Sequence, residues 1–310
     1  MRTLLSIFFI GLLHGQEWPR MFKPGPAQGI YQELGEKDGL FHYRTKHYRI
    51  ESDRALRPTQ LKNFTRSAES VALVLKRMPL PLSAPPTKEL PRIRIFGSEE
   101  AYHDAGGGKG TAGFYSGRRQ EVFILWSQLF LDRGGNSRLG PEANFPLIVH
   151  ELAHLQMHGY LWRTPPWFYE GVAEYLAASH EKGGIFNFTK MDEKVRNRIK
   201  RQTDPEADKN PAMAMAKLVR LDSRNWHRLT DTKEPYEVLE SYSSSLLLIH
   251  YFFNGGDERR GEVAKYLEEV QKVRDFREEM PELFTAEQAN EIQKKLVKYW
   301  GPRGLKLQFR

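Results

Sequence analysis

Two histidines and a glutamate stand inside one of the most apolar stretches of the chain, and few arrangements accommodate them there. Leu147-Ile148-Val149 precedes His150-Glu151, Leu152-Ala153 leads to His154, and Leu155 follows. Burying polar groups among such neighbours costs roughly 2–7 kcal/mol for a hydroxyl-like group without a partner, and more for a charge. The segment therefore has to give these groups something to bind. His150-Glu151-Leu152-Ala153-His154 has the H-E-x-x-H spacing. On a helix, positions i and i+4 share a face, so both imidazoles can reach one ion. Glu151 is turned by about 100° around the axis, where it can reach a water on that ion. Pro146 suits a first helical turn, and the spacing predicts a helix over 145–160.

A zinc site of this kind needs a third protein ligand. The spacing H-E-x-x-H-x-x-G-x-x-H is not met, because Met157 stands at the glycine position and Tyr160 at the last histidine. His158 lies a further turn along the same helix, too far along the axis to share an ion with the first pair. Glu170 is a third candidate, within Pro166-Trp167-Phe168-Tyr169-Glu170-Gly171-Val172-Ala173-Glu174-Tyr175. A short turn through Thr164-Pro165 lets this second helix fold back on the first. Glu170 and Glu174 then share a face. Glu170 is placed to bind metal, and Glu174 to accept the free ring N–H of a ligand histidine. Gly171 allows a close helix approach.

Composition narrows the chemistry further. The 310 residues include no cysteine, which excludes disulfides, thiolate metal sites and cysteine nucleophiles. Any transition metal must be held by His, Asp or Glu. The net charge of +8 is diffuse. Its densest run, Lys194, Arg196, Arg198, Lys200 and Arg201, reads as a solvated helix face, so no nucleic-acid partner is expected. At the N-terminus, Arg2 precedes an apolar stretch from Leu4 to Leu13, and Gly15 is a small residue suited to a cleavage site. This reads as a secretory signal over 1–15. It is shorter than the roughly 20 residues that span a bilayer. No other segment reads as a transmembrane helix, and a secreted or periplasmic location is expected.

Residues 16–40, rich in Gly, Pro and charge, read as a linker or extended arm. The remainder, 41–310, reads as one α+β domain: a lobe over 41–135 with a sheet of about four strands, then a mainly helical lobe over 136–310 carrying the metal site. Strands are expected around Tyr48–Ile50, Arg92–Phe96, Ala112–Ser116 and Glu121–Trp126. Helices are expected over Leu61–Met78, Glu99–Asp104, Phe145–Tyr160, Pro166–His180, Met191–Arg201, Tyr236–Phe253, Glu258–Val273 and Ala286–Trp300. Thr285 and Gln288 form a capping signature for the last. The Gly106–Thr111 segment looks like a phosphate loop, but Gly110 separates Lys109 from Thr111, and a strand follows rather than a helix. It reads as a surface loop.

The pair His150-Glu-Leu-Ala-His-Leu155 and Pro166-Trp-Phe-Tyr-Glu-Gly-Val-Ala-Glu-Tyr175 resembles the gluzincin metallopeptidases. More narrowly it resembles the peptidase-MA-like proteins grouped as the DUF1570 domain. The likeness extends to His47–Asp53, Arg92–Ser98, Ala112–Tyr115 and Glu240–Phe252. It implies a zincin-like fold, one Zn2+ held by His150, His154 and Glu170, and peptide-bond hydrolysis with Glu151 as general base on a peptide or protein substrate. Related zincins use a Tyr or His from the helical half to stabilise the oxyanion, which points to Tyr242. They pair an extended substrate with an edge strand, which points to Ala112, Gly113 and Phe114. The alternatives are a non-catalytic, zinc-stabilised binding module of the cell envelope, which would not need Glu151, and a basic binder of nucleic acid.

Overall fold

The computed structural model describes residues 17–27, 29–109, 111–129, 145–202, 208–230, 235–275 and 277–310. The secretory segment read at 1–15 and the lobe boundary at 135/136 lie outside the described residues. In chain order the strands are β1 (Met21–Phe22), β2 (Gln32–Lys37), β3 (Leu40–Arg44), β4 (Arg49–Ser52), β5 (Arg92–Phe96), β6 (Gly113–Ser116), β7 (Glu121–Leu125), β8 (His180–Glu181), β9 (Ile185–Asn187), β10 (Asn210–Ala212) and β11 (Leu307–Phe309). The helices are α1 (Pro58–Arg77), α2 (Glu99–Asp104), α3 (Trp126–Leu129), α4 (Phe145–Gln156), α5 (Pro166–Ser179), α6 (Met191–Gln202), α7 (Met215–Leu218), α8 (Ser223–Thr230), α9 (Pro235–Phe253), α10 (Asp257–Lys272) and α11 (Ala286–Trp300).

Alternation builds the main sheet. In β5, Ile93 and Ile95 point into the core, while Arg92 and Arg94 turn to the opposite face. There Arg92 meets Glu51 at 3.3 Å and Glu121 at 3.0 Å, and Arg94 meets Glu51 at 3.6 Å. One face is thus apolar and the other carries an ion network. The strand order is β2-β3-β4-β5-β7-β6, with β4, β5 and β7 parallel at the centre and antiparallel partners on both sides. Among the described residues β6 pairs only with β7 and stands at the end of the strand order. Helices α1 and α4 pack against each other, and α4 also touches β6 and β7. Helix α5 lies against α4 and is backed by α9, so the helical half stacks outward from the sheet. The result is α+β, as expected.

Three expectations are corrected. The region read as an arm over 16–40 contains β1, which pairs with β9, and β2, which forms a hairpin with β3. The hairpin turns at Asp38-Gly39, whose φ angles of 55° and 74° are those of a tight primed turn. The two strands raise the sheet from about four to six. The helix expected over 145–160 ends at Gln156 and continues as a single 3-10 turn, His158–Tyr160. The cause is tertiary: Ala84 donates to the Gln156 carbonyl at 2.7 Å, and Gly159 donates to the Ala84 carbonyl at 2.9 Å. Finally, α6 is not simply a solvated basic face. Lys194 turns inward to Glu181 at 2.7 Å, and Arg198 to Glu174. At the other end of the chain, the capping pair of α11 is present, with Thr285 Oγ accepting from Gln288 N at 3.3 Å and Gln288 Oε1 accepting from Thr285 N at 2.7 Å. Among the described residues, no helix is long and apolar enough to cross a membrane.

Candidate metal centre

From Ile148 to Gln156 every residue of α4 is buried, because the helix has the sheet on one side and α1 and α5 around it. His150, Glu151 and His154 are therefore 7–8% exposed. Pro165-Pro166 starts α5 immediately after the turn, with Pro166 at a first-turn position where no N–H is needed. Gly171 makes room for α9 rather than for α4. A Cβ there would lie 2.5 Å from the Ser245 carbonyl oxygen and from Ile249 Cγ1. Backed in this way, α5 presents Glu170 and Glu174 to α4.

The two helices bring His150, His154 and Glu170 together in a buried group that can hold a metal ion. The Nε2 atoms of the histidines are 3.0 Å apart, and Glu170 Oε2 lies 3.1 Å from the first and 3.2 Å from the second. Ligand atoms at about 2.0–2.1 Å from a tetrahedral ion would be about 3.3 Å apart, close to these separations. His150 Nδ1 lies 2.9 Å from Glu174 Oε1. Glu174 also accepts from Arg198 Nε and, at 2.7 Å, from Nη2. Burial alone would raise the Glu174 carboxyl's pKa, but Arg198 and His150 outweigh it and hold it well below the usual range. A charged Glu174 can only accept, so His150 Nδ1 carries a proton, and loss of the second proton from Nε2 would leave that lone pair facing the group. This nitrogen, the Glu170 carboxylate and His154 Nε2 converge on one point. His154 Nδ1 is itself buried without a hydrogen-bond partner among the described residues. The donor set fits a cation.

The electrostatics point the same way. Burial favours neutral His150, yet its hydrogen bonds to Glu170 and Glu174 push its pKa up to about 10. Burial likewise opposes ionisation of Glu170, but His154 and His150 bring it down to about 2. The pocket is built to hold positive charge. Glu151 differs: burial dominates and lifts its pKa, against the pull of His150, His154 and a hydrogen bond from the Tyr115 backbone.

These groups open on a cavity of about 570 Å³. Tyr242 reaches it from α9, with its ring 6.0 Å from that of His150 and 5.5 Å from that of Trp226. His158, having left the helix, stands apart from the ligand group and bonds the Tyr115 hydroxyl at 2.7 Å. The expected substrate strand is divided. Ala112 spends its carbonyl on Leu125 N at 3.0 Å, and Phe114 stacks on Phe123 with ring centres 4.7 Å apart. By antiparallel alternation, the main-chain groups of Phe114 also face β7, and those of Gly113 and Tyr115 face away from it, the Tyr115 N–H toward Glu151. Sequence reasoning missed Tyr115, Tyr169, Trp226, His227 and Arg198. Tyr115, Trp226 and His227 line the cavity; Tyr169 does too and places its ring 5.6 Å from that of His154. None has a local pattern that marks it. Only the packing of β6 and α5 against α4, of α6 against α5 and of α8 against α9 brings them to the site.

No protein-family model matches the chain, and no curated protein matches it.

Proposed function

We propose that this chain is a secreted, zincin-like hydrolase of peptide bonds, with Zn2+ held by His150, His154 and Glu170. The observation that supports it best is the convergence of those three ligand atoms within 3.2 Å of one another, with Glu151 on the same helix facing the same cavity. Two imidazoles and one carboxylate suit zinc over the oxygen-preferring Mg2+ and Ca2+. The ion, when bound, polarises the scissile carbonyl and the attacking water.

The chain's own residues do the rest. Glu151 takes the water proton as the oxygen attacks the carbonyl carbon, and returns a proton to the leaving amine as the C–N bond breaks. A base with a raised pKa is suited to both transfers. Tyr242 remains protonated, since burial first and then the charges of Glu170 and Glu151 hold its pKa well above the ordinary phenol value. It donates to the developing oxyanion. Gly113 and the Tyr115 carbonyl offer edge-strand main-chain groups to an extended peptide.

The test is metal analysis of the purified protein together with cleavage of a mixed peptide library. About one zinc per chain is expected, with hydrolysis that Glu151→Gln abolishes while metal and fold persist. Zinc binding without library cleavage would favour the zinc-stabilised binding module. Metal retained undiminished in the His150→Ala, His154→Ala double variant would remove the ligand assignment.

A further inference from the structure

Helix α6 contributes a residue to the metal centre from 24 positions beyond Glu174. Arg198 lies at the inner edge of that helix and closes on both carboxylate oxygens of Glu174, Nε on Oε2 and Nη2 on Oε1 at 2.7 Å. The second of these oxygens is also the one 2.9 Å from His150 Nδ1. Glu174 is 4% exposed and His150 8%. A planar guanidinium matched to a carboxylate in this two-point manner fixes its plane as well as its position.

We infer that Arg198 is a positioning residue for the metal centre, acting through Glu174 on the orientation of the His150 imidazole. The inference rests on the proposed metal site. The geometry gives each member one task. Arg198 holds the Glu174 carboxylate in one plane. Glu174 accepts the His150 Nδ1–H. The imidazole is thereby held with Nε2 directed at His154 Nε2 and Glu170 Oε2. Charge supports the same chain of contacts. Glu151, Glu170 and Glu174 bring three carboxylates into one buried region, and Arg198 supplies a permanent cation next to Glu174. Without it, Glu174 would be a buried carboxylate with His150 as its one side-chain donor among the described residues. Such a group recruits water or turns away from its partner. His154 shows the contrast within the same site: its Nδ1 is buried and has no hydrogen-bond partner among the described residues. Among the described residues only one of the two imidazoles is oriented from behind, and Arg198 is what completes that support.

The experiment compares wild type, Arg198→Lys, Arg198→Met, Glu174→Gln and the Arg198→Met, Glu174→Gln double variant. Zinc affinity is measured by competition with a chromophoric chelator. The visible spectrum of the Co2+-loaded proteins reports ligand geometry, and thermal unfolding of the metal-free proteins reports the fold. Loss of an outer partner of a metal-bound histidine typically weakens binding about 10–100-fold. Arg198→Met is expected to lower zinc affinity at the lower end of that range and to alter the Co2+ spectrum. Arg198→Lys, which keeps the charge but not the two-point contact, should fall between it and wild type. The double variant should bind no more weakly than Glu174→Gln alone, since both changes act through the same hydrogen bond. It also removes the uncompensated carboxylate, so it keeps the question decidable if Arg198→Met does not fold. An unchanged affinity and Co2+ spectrum in Arg198→Lys and in folded Arg198→Met would overturn the inference. So would a double variant in which the two losses simply add. A wild-type protein that takes up no metal would overturn the site itself, and is recognised by its own stoichiometry.

Discussion

Gly113 of the edge strand lies directly against Glu151 of the metal-centre helix. A methyl group added at Gly113 would stand 3.4 Å from Glu151 Cγ and 3.2 Å from the Phe123 carbonyl oxygen. The strand and the proposed base are thus in contact with no side chain between them. Gly113→Val should push on Glu151 without touching a metal ligand. We expect zinc content to stay at the wild-type level while kcat falls at least tenfold. Reduced metal content, or undiminished turnover, would show that the contact does not govern the base.

The register of β6 separates two proline substitutions one residue apart. Phe114 is hydrogen-bonded to β7, whereas Gly113 faces outward. Phe114→Pro should therefore lower the unfolding temperature by removing a ladder donor. Gly113→Pro should instead raise KM for extended peptides with a smaller change in stability. Calorimetry and steady-state kinetics on the two variants check the order, and an unaltered KM in Gly113→Pro would exclude docking on this strand.

Tyr242 is held protonated by burial and by the neighbouring carboxylates. If its hydroxyl stabilises the oxyanion, Tyr242→Phe should reduce kcat about 10²–10³-fold, the usual effect of deleting one such donor. KM and zinc content should change little. A Tyr242→Phe enzyme with wild-type kcat would return the residue to a packing role against Trp226.

Glu170 and Glu174 differ in what they touch. Glu170 reaches both imidazoles on the ion side, whereas Glu174 reaches only the far nitrogen of His150. Glu170→Ala should therefore weaken zinc binding more than Glu174→Ala does. Chelator competition reads the order directly, and the reverse order would exchange their roles.

Metal binding should also release a proton. In the metal-free protein His150 has a raised pKa of about 10, owing to Glu170 and Glu174 acting against burial. The histidine is therefore protonated at pH 8, and an ion must displace that proton. A group with a raised pKa loses its proton only as pH climbs through the raised value, so apparent zinc affinity should go on rising with pH up to about 10. Calorimetry in buffers of different ionisation enthalpy should detect about one proton released per zinc at pH 8. No release would mean that His150 is already neutral.

The central elements were legible from the chain because each carries its own periodicity or end signal. β5 alternates Arg and Ile, α2 and α11 begin at Ser98 and Thr285, and α5 follows a proline pair. The triad was equally local, since twenty residues separate His150 from Glu170. What was hidden depends on contacts between distant segments. The end of α4 is set by Ala84, and the inward turn of Arg198 by a carboxylate on another helix. The β2–β3 hairpin was a different kind of miss. Its Asp38-Gly39 turn is a local signal, but every residue of β2 is exposed, so it lacks the apolar alternation that marks a half-buried strand.

A sheet edge with free main-chain groups accepts any extended chain, including another copy of the same protein. In β6 that hazard is bounded by three features. The strand has only four residues. Tyr115 N–H is engaged by Glu151. The turn that follows carries the exposed, like-charged Arg118 and Arg119. Short edges and charges at their ends are how sheet proteins resist stacking into aggregates. A lone peptide threading past these guanidinium groups meets two cations, but a second copy would bring two more against them, so the strand's recognition capacity is paired with a barrier to self-association.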